Sequence, residues 1–173
     1  MLFQLAVHPK VVEYVDNCIA AAHRLLQKNE LKKLSVTIMG ENYKPVEQFV
    51  FEVTVKMENS TEHPGPSLEC EDDFLLDTEA AARAILLRIS TSDSVLKANP
   101  KGCTFTIQLY TMESTAMKMT LSQDSHEDFP WIEADTRESE VPSGSIVPLK
   151  SSETTLGKIH LYVVESDFKQ AQF

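Results

Sequence analysis

Apolar residues recur at Val11, Val15, Cys18, Ile19, Ala22, Leu25 and Leu26, three or four positions apart, the spacing that lines one side of a helix. Pro9 sits where a first turn needs no amide donor, and Asn29 is a stop signal, so the pattern predicts a helix over about 9–28. From Leu34 the period drops to two. Leu34, Val36 and Ile38 point one way and Ser35 and Thr37 the other; after a turn at 40–45, Phe49, Phe51, Val53 and Val55 alternate with Val50, Glu52 and Thr54. Period two with β-branched and aromatic residues predicts two antiparallel strands.

Residues 57–72, with Pro64-Gly65-Pro66 among acids, read as an exposed loop. A second long helix is expected at about 74–97, its recurring face made of Leu76, Ala80, Arg83, Ala84, Leu87 and Ser94 to Leu96, ending at Asn99-Pro100-Lys101-Gly102. Strands follow at 103–111 (Phe105, Ile107 and Leu109 alternating) and 117–121. Residues 123–158 are acidic and loop-like, broken by one apolar knot, Phe129-Pro130-Trp131-Ile132, and by Ile146-Val147-Pro148-Leu149, which suits a sheet edge. A last strand is expected at 158–164, with Ile159, Leu161 and Val163 on one face. The order predicts an α+β layer, helices on one face of a mostly antiparallel sheet. An excursion as long as 123–158 inside a compact domain points to function.

Composition narrows the class. With 173 residues, 42% hydrophobic and 24% charged, the chain has the profile of one globular domain. No apolar run reaches the roughly 20 residues of a membrane span, and the opening Met1 to Val7 lacks the basic leader of a signal peptide. Sixteen basic against 26 acidic residues leave a charge of −10, and Lys32-Lys33 is the longest basic cluster. Binding duplex DNA directly requires a cationic face, so none is expected; a role in DNA metabolism would run through partner proteins. Cys18, Cys70 and Cys103 are few, scattered and odd in number, which argues against a disulfide scaffold and for a reducing compartment.

No phosphate-loop, dinucleotide, zinc-protease or nucleophile-elbow motif occurs. His8, His23, His63, His126 and His160 show no metal-ligand spacing; His8 reads as a helix-start residue and His126, among acids, as part of a solvated loop. Cys103 as a nucleophile would need a lowered pKa and a nearby base, and a packing residue at a strand start is the simpler reading. No metal, cofactor or enzymatic activity is expected. The lone Trp131 either anchors its loop or meets a partner.

Several stretches together resemble one family: "HPKVVEYV" in the first helix, "KPVEQFVFEV" in the second strand, "NPKGCTFTI", "DFPWIEAD", "IVPLK" and "LYVVE". Six blocks in order, from His8 to Glu165, are similar to the HORMA-domain accessory (small) subunits of translesion DNA polymerase zeta, relatives of the mitotic spindle-checkpoint HORMA protein. The resemblance implies one HORMA domain over 1–173, with a core at 8–122 and a C-terminal "safety belt" plus final strand at about 123–165. The belt itself, about 123–157, would wrap a partner peptide that adds as a strand to the sheet and would slow its release.

The same resemblance implies a non-catalytic adaptor in DNA-damage tolerance and DNA repair, in the nucleus and also the cytoplasm, that joins the polymerase's catalytic subunit to the C-terminal domain of the scaffold translesion polymerase. The alternative functions it implies are mitotic checkpoint and anaphase-promoting-complex regulation in the cell cycle, or protection of double-strand-break ends. Family positions for gripping the catalytic-subunit peptide fall on Tyr14 and Trp131, and those for the scaffold polymerase on Ile146, His160 and Tyr162. At Ile146 the hydrophobe differs in shape, and His160 replaces a Gln, which makes that contact pH-dependent. A position for pairing with another HORMA domain falls on Arg83. Tyr14 as a half-buried helix aromatic and Arg83 as a solvated helical arginine are the plain alternatives. The family's domain also begins with a further helix before the "HP" block, which the resemblance leads one to expect packed against the sheet and without which the chain is expected to be aggregation-prone.

Overall fold

The computed structural model describes residues 6–55, 68–113, 115, 131–154 and 157–170. Helix α1 (Pro9–Gln27) begins after His8 as N-cap, with Pro9 in its first turn. It ends as its sequence suggests. Asn29 adopts φ 55°, the amide of Glu30 reaches Leu25 O at 2.9 Å and that of Asn29 reaches Leu26 O at 3.0 Å, a Schellman closure in which Asn tolerates the left-handed backbone.

Strands β1 (Leu31–Met39) and β2 (Pro45–Val55) flank a 3-10 turn at Glu41–Tyr43. After α2 (Leu68–Ser90) come β3 (Thr104–Thr111), a one-turn helix α3 (Thr136–Ser139), β4 (Gly144–Glu153) and β5 (Gly157–Ser166). The five strands form one sheet in the order β3-β1-β2-β5-β4, every pair antiparallel. Close approach explains one glycine: a Cβ on Gly157 would lie 2.1 Å from Thr54 O across the β2–β5 ladder.

Both long helices lie on the face carrying Leu34, Phe51, Leu109 and Leu161, as an α+β layer requires. They cover different halves. Ala22 and Leu25 of α1 pack with Leu31, Leu34 and Leu109; Ile85 and Ile89 of α2 pack with Leu149, Leu161, Val163, Phe49 and Phe51. Val36 and Ile38, on the same face, belong to neither cluster and stay half-buried.

Three expectations need correction. The second helix begins at Leu68, so the end of the supposed loop 57–72 is helical, and it stops at Ser90 rather than near 97. Acids near a helix start suit the positive end of its dipole, which is why an acidic stretch there is not a loop signal. At the other end the hydroxyls of Ser90, Thr91 and Ser92 bond back to Leu87 O, Leu87 O and Ile89 O at 2.7–3.0 Å, competing with the backbone ladder, and the chain tightens into a 3-10 turn at Ser92–Ser94.

The inward stripe of α2 also differs. Ile85 and Ile89 pack against the sheet, and Thr78, Ala81 and the expected Ala84 are half-buried, whereas Leu76 and Leu87, expected inside, are 61% and 53% exposed, and Ala80 and Arg83 are exposed too. Two apolar stripes compete in this sequence, and shape against β4 and β5 chooses one. Finally, the segment expected as a belt is not loop-like throughout 123–157. From Gly144 it is strand β4, which pairs with β5 along its length and carries a bulge between Pro148 and Lys150 that turns Leu149 into the core. The expected strand 117–121 lies outside the described residues.

The C-terminal 3-10 turn (Asp167–Gln170) is fastened by a buried cation. Lys169 Nζ, 0% exposed, pairs with Glu47 and with Glu165 Oε1 at 2.9 Å and donates to Lys97 O at 3.1 Å. Glu47 and Glu165 face each other across β2 and β5, so one ammonium offsets two acids that would otherwise repel at close range.

Candidate functional site

Strand β3 stands at one margin of the described sheet, paired to β1 alone. The backbone amide of Ile107 donates at 2.9 Å to Tyr14 Oη on α1. An amide has one hydrogen, so this one is outside the β1 ladder and directed off the margin. In an antiparallel strand alternate residues turn their backbone groups the same way, which gives Phe105 and Leu109 the same outward direction. The ring of Tyr14 meets Phe105 edge-on, centroids 6.1 Å apart. Sequence reading singled out Tyr14; only the placement of α1 over β3 brings its hydroxyl to the outward amide.

The chain returns to this margin on the other face. There Ser35 and Thr37 of β1, both 0% exposed, and Gln48 of β2 are buried polar side chains. With Gln108 and Tyr110 of β3 they form one hydrogen-bonded cluster. It holds α3: Tyr110 Oη donates to Ser139 O at 3.1 Å, Gln108 Nε2 to Glu138 O at 3.1 Å, and Gln48 Nε2 lies 3.4 Å from Ser139 O. Lys33 Nζ sits 4.2 Å over the Tyr110 ring, a cation–π contact that steadies it. None of these residues was singled out from sequence. The usable signal was Gln48 and Gln108 at positions of alternating strands that pair with Thr37 and Ser35.

Of the apolar knot at 129–132, Trp131 is half-buried and Ile132 is 86% exposed; Phe129 and Pro130 lie outside the described residues, as do His63 and His126.

A second surface forms on the β4–β5 hairpin. Ile146 opposes Val164, Pro148 opposes Tyr162 and Ser151 opposes His160, so Ile146, His160 and Tyr162 share one face, the face away from the helices. Ile146 is 67% exposed, His160 Nδ1 is 2.8 Å from Ser151 Oγ, and Tyr162 Oη donates to Glu52 Oε1 at 2.8 Å. Burial, then the bond to Glu52 and its charge, push the Tyr162 hydroxyl up to about 12. Arg83 is apart from both surfaces, exposed on α2 and paired with Glu79 at 2.7 Å.

Cys103 gives its thiol hydrogen to Pro100 O at 3.1 Å, and burial raises its pKa, the opposite of what a nucleophilic thiolate needs. Among the described residues no cluster of three His, Cys, Asp or Glu is placed to hold a metal ion, and no helix is long and apolar enough to cross a membrane.

Against known proteins the chain is 36% identical to the "Mitotic spindle assembly checkpoint protein MAD2B" of Danio rerio over 169 residues, which is 97% of this chain and 75% of that protein. The protein of the same name in Homo sapiens is also 36% identical, over 96% of this chain and 74% of its own length. This chain belongs to the MAD2B family of HORMA-domain proteins. A more distant family relative, the "DNA polymerase zeta processivity subunit" of Arabidopsis thaliana, is 27% identical over 94% of the chain and 68% of its own length. No protein-family model matches.

Solved structures agree on the HORMA fold. A chain of the mitotic checkpoint complex superposes with a TM-score of 0.67 at 19% identity, over 94% of this chain and 74% of that one. C. elegans HTP-2 bound to the HIM-3 closure motif gives 0.56 at 11%, over 91% and 70%.

Proposed function

We propose that this chain, read as a single HORMA domain over 1–173, is a non-catalytic adaptor of DNA polymerase zeta. It takes a short peptide of the catalytic subunit as an added strand on β3, between Tyr14 on one face and the belt with Trp131 on the other. It offers Ile146, His160 and Tyr162 to the C-terminal domain of the scaffold translesion polymerase in the nucleus, and Arg83 to another HORMA domain. Neither nucleic acid nor membrane is a direct partner.

The observation that carries this reading is the β3 margin. Its Ile107 amide is turned outward and met by a replaceable side-chain hydroxyl rather than by another strand. Main-chain groups so presented bind an extended peptide, and side-chain pockets select it. The Arabidopsis relative's name supports polymerase zeta as the source of that peptide. The vertebrate relatives' name favours a second reading, in which the same margin grips a peptide of a mitotic regulator; affinity capture with mass spectrometry from S-phase and mitotic cells separates the two.

Trp131→Ala tests the grip. Truncating a packed aromatic costs about 3–5 kcal/mol, so capture of a proline-containing peptide from the catalytic subunit is expected to weaken by hundreds-fold in titration calorimetry. Affinity within about threefold of the parent, in a folded variant, overturns the reading.

A further inference from the structure

We propose that Gln48, Gln108 and Tyr110 form a releasable latch, which holds the belt on the sheet and sets how long a captured peptide stays. The inference rests on the belt's role proposed above. Among the described residues, these side chains donate from the sheet to two consecutive carbonyls of the segment around α3, Glu138 O and Ser139 O. Gln108 and Tyr110 are on β3 itself, so the segment they hold lies beside any strand added at that margin, and in this proposal its lifting precedes release.

What makes the latch releasable is the number of alternatives within it. Gln48 Nε2 has two hydrogens and five acceptors in reach: Ser35 Oγ at 3.1 Å, Thr37 Oγ1 at 3.0 Å, Gln108 Oε1 at 3.1 Å, Tyr110 Oη at 3.0 Å and Ser139 O at 3.4 Å. Tyr110 has one hydroxyl hydrogen and two acceptors, Ser139 O at 3.1 Å and Gln108 Oε1 at 3.3 Å. With the belt down, Tyr110 donates to Ser139 O. With the belt up, the same hydrogen turns to Gln108 Oε1, and Gln48 keeps Ser35 and Thr37. Leaving a buried donor without a partner is the expensive event in breaking a hydrogen bond; here Gln48 and Tyr110 avoid it, while Gln108 Nε2 and the two belt carbonyls pass to water. The three residues are positioning residues. They touch the belt, not the peptide.

Tyr110→Phe and Gln108→Glu test this in the full chain. Tyr110→Phe keeps the ring under Lys33 and removes only the hydroxyl. Gln108→Glu keeps an acceptor for Ser35, Thr37, Gln48 and Tyr110 but loses the donor to Glu138 O. Each change is expected to speed amide exchange at Glu138, Ser139 and Glu140, and release of a fluorescent catalytic-subunit peptide, by roughly three- to tenfold, the loss of one ordinary hydrogen bond. Lys101→Ala, on an exposed turn, is expected to change neither rate.

A pH profile separates the latch from general loosening. Once protonated, the carboxyl introduced by Gln108→Glu regains a donor, so release from that variant is expected to slow toward the parent's rate below pH about 4–5, with no such return in Tyr110→Phe. If both variants melt with the parent yet exchange at 138–140 at the parent's rate, the latch is overturned. Faster exchange with unchanged peptide release overturns its control of residence time. A parent that captures no catalytic-subunit peptide sinks the polymerase reading instead, and the exchange measurements then judge the hold on the belt by themselves.

Discussion

The two margins of the sheet are built to opposite ends. β4 is closed to further pairing: Pro148 lacks an amide, a bulge follows it, and Lys150 is exposed beside Ser151, the devices that keep an edge strand from recruiting another. β3 has none of them. Thr104–Thr111 contains no proline and no charge, is regular along most of its ladder, and is flanked by α1 on one face and α3 on the other. The difference teaches where an extra strand can go. It also separates two kinds of residue: those beneath β4 and β5, which hold the fold, and those around β3, which the proposed function assigns to a peptide.

The largest expected effect sharpens that division from the β5 side. Lys169→Ala leaves Glu47 and Glu165 facing each other in the core without their cation. Removing one partner of a buried pair costs about 3–5 kcal/mol, read as a lower urea midpoint at unchanged m-value. A loss below about 1 kcal/mol would mean the C-terminal turn is not part of the folded unit.

The same comparison breaks if β3 tolerates an edge blocker. Phe105→Lys places a charge on its outward rank, where Phe105 is already 43% exposed. Peptide capture is expected to fall at least about tenfold while stability changes by under about 1 kcal/mol; capture at parental strength would move the peptide elsewhere.

Alkaline pH probes the β4–β5 hairpin. The Tyr162 hydroxyl is raised from its ordinary value of 10 to about 12 in the folded chain. A group with a raised folded pKa contributes stability that is complete below its unfolded pKa and is lost as pH climbs through the folded one. Melting temperature is therefore expected to decline between pH 10 and 12, and Tyr162→Phe to flatten that limb. An identical decline in the variant would assign the effect to other groups.

Smallest is Tyr14→Phe. It strips the oxygen from the Ile107 amide and leaves the ring on Phe105. Stability should drop by no more than about 1 kcal/mol, one neutral hydrogen bond, while exchange of the Ile107 amide accelerates in NMR. If that amide stays protected, a second acceptor serves it and the β3 margin is less open than its geometry implies.

Much of this architecture was legible in sequence because local periodicity is strong where one face of an element is buried. α1, β1, β2, β3 and β5 each announce themselves by a stripe or an alternation, and Asn29 marks a helix end through its tolerance of positive φ. Where two apolar stripes compete, as in α2, periodicity cannot choose; shape against β4 and β5 does. β4 itself was underread because Gly-Ser-Ile-Val-Pro-Leu-Lys-Ser-Ser-Glu has few apolar residues, and its strand character comes from hydrogen bonds to β5 that no local pattern encodes.

The sites divide the same way. The six blocks from His8 to Glu165 pointed to the HORMA family, and the relatives establish that membership. Which side chains share a surface depends on contacts between residues far apart in the chain. Tyr14 meets Ile107 across 93 positions and Lys169 meets Glu47 across 122, each through the register of a strand or the seat of a helix. The sequence by itself determined the elements and the family, since burial periodicity and short blocks are local properties. The place of β3 at a margin of the described sheet, the polar cluster under α3 and the buried ion pair were decided only in the tertiary structure, because hydrogen bonds and charges act over a few ångströms of space without regard to separation along the chain.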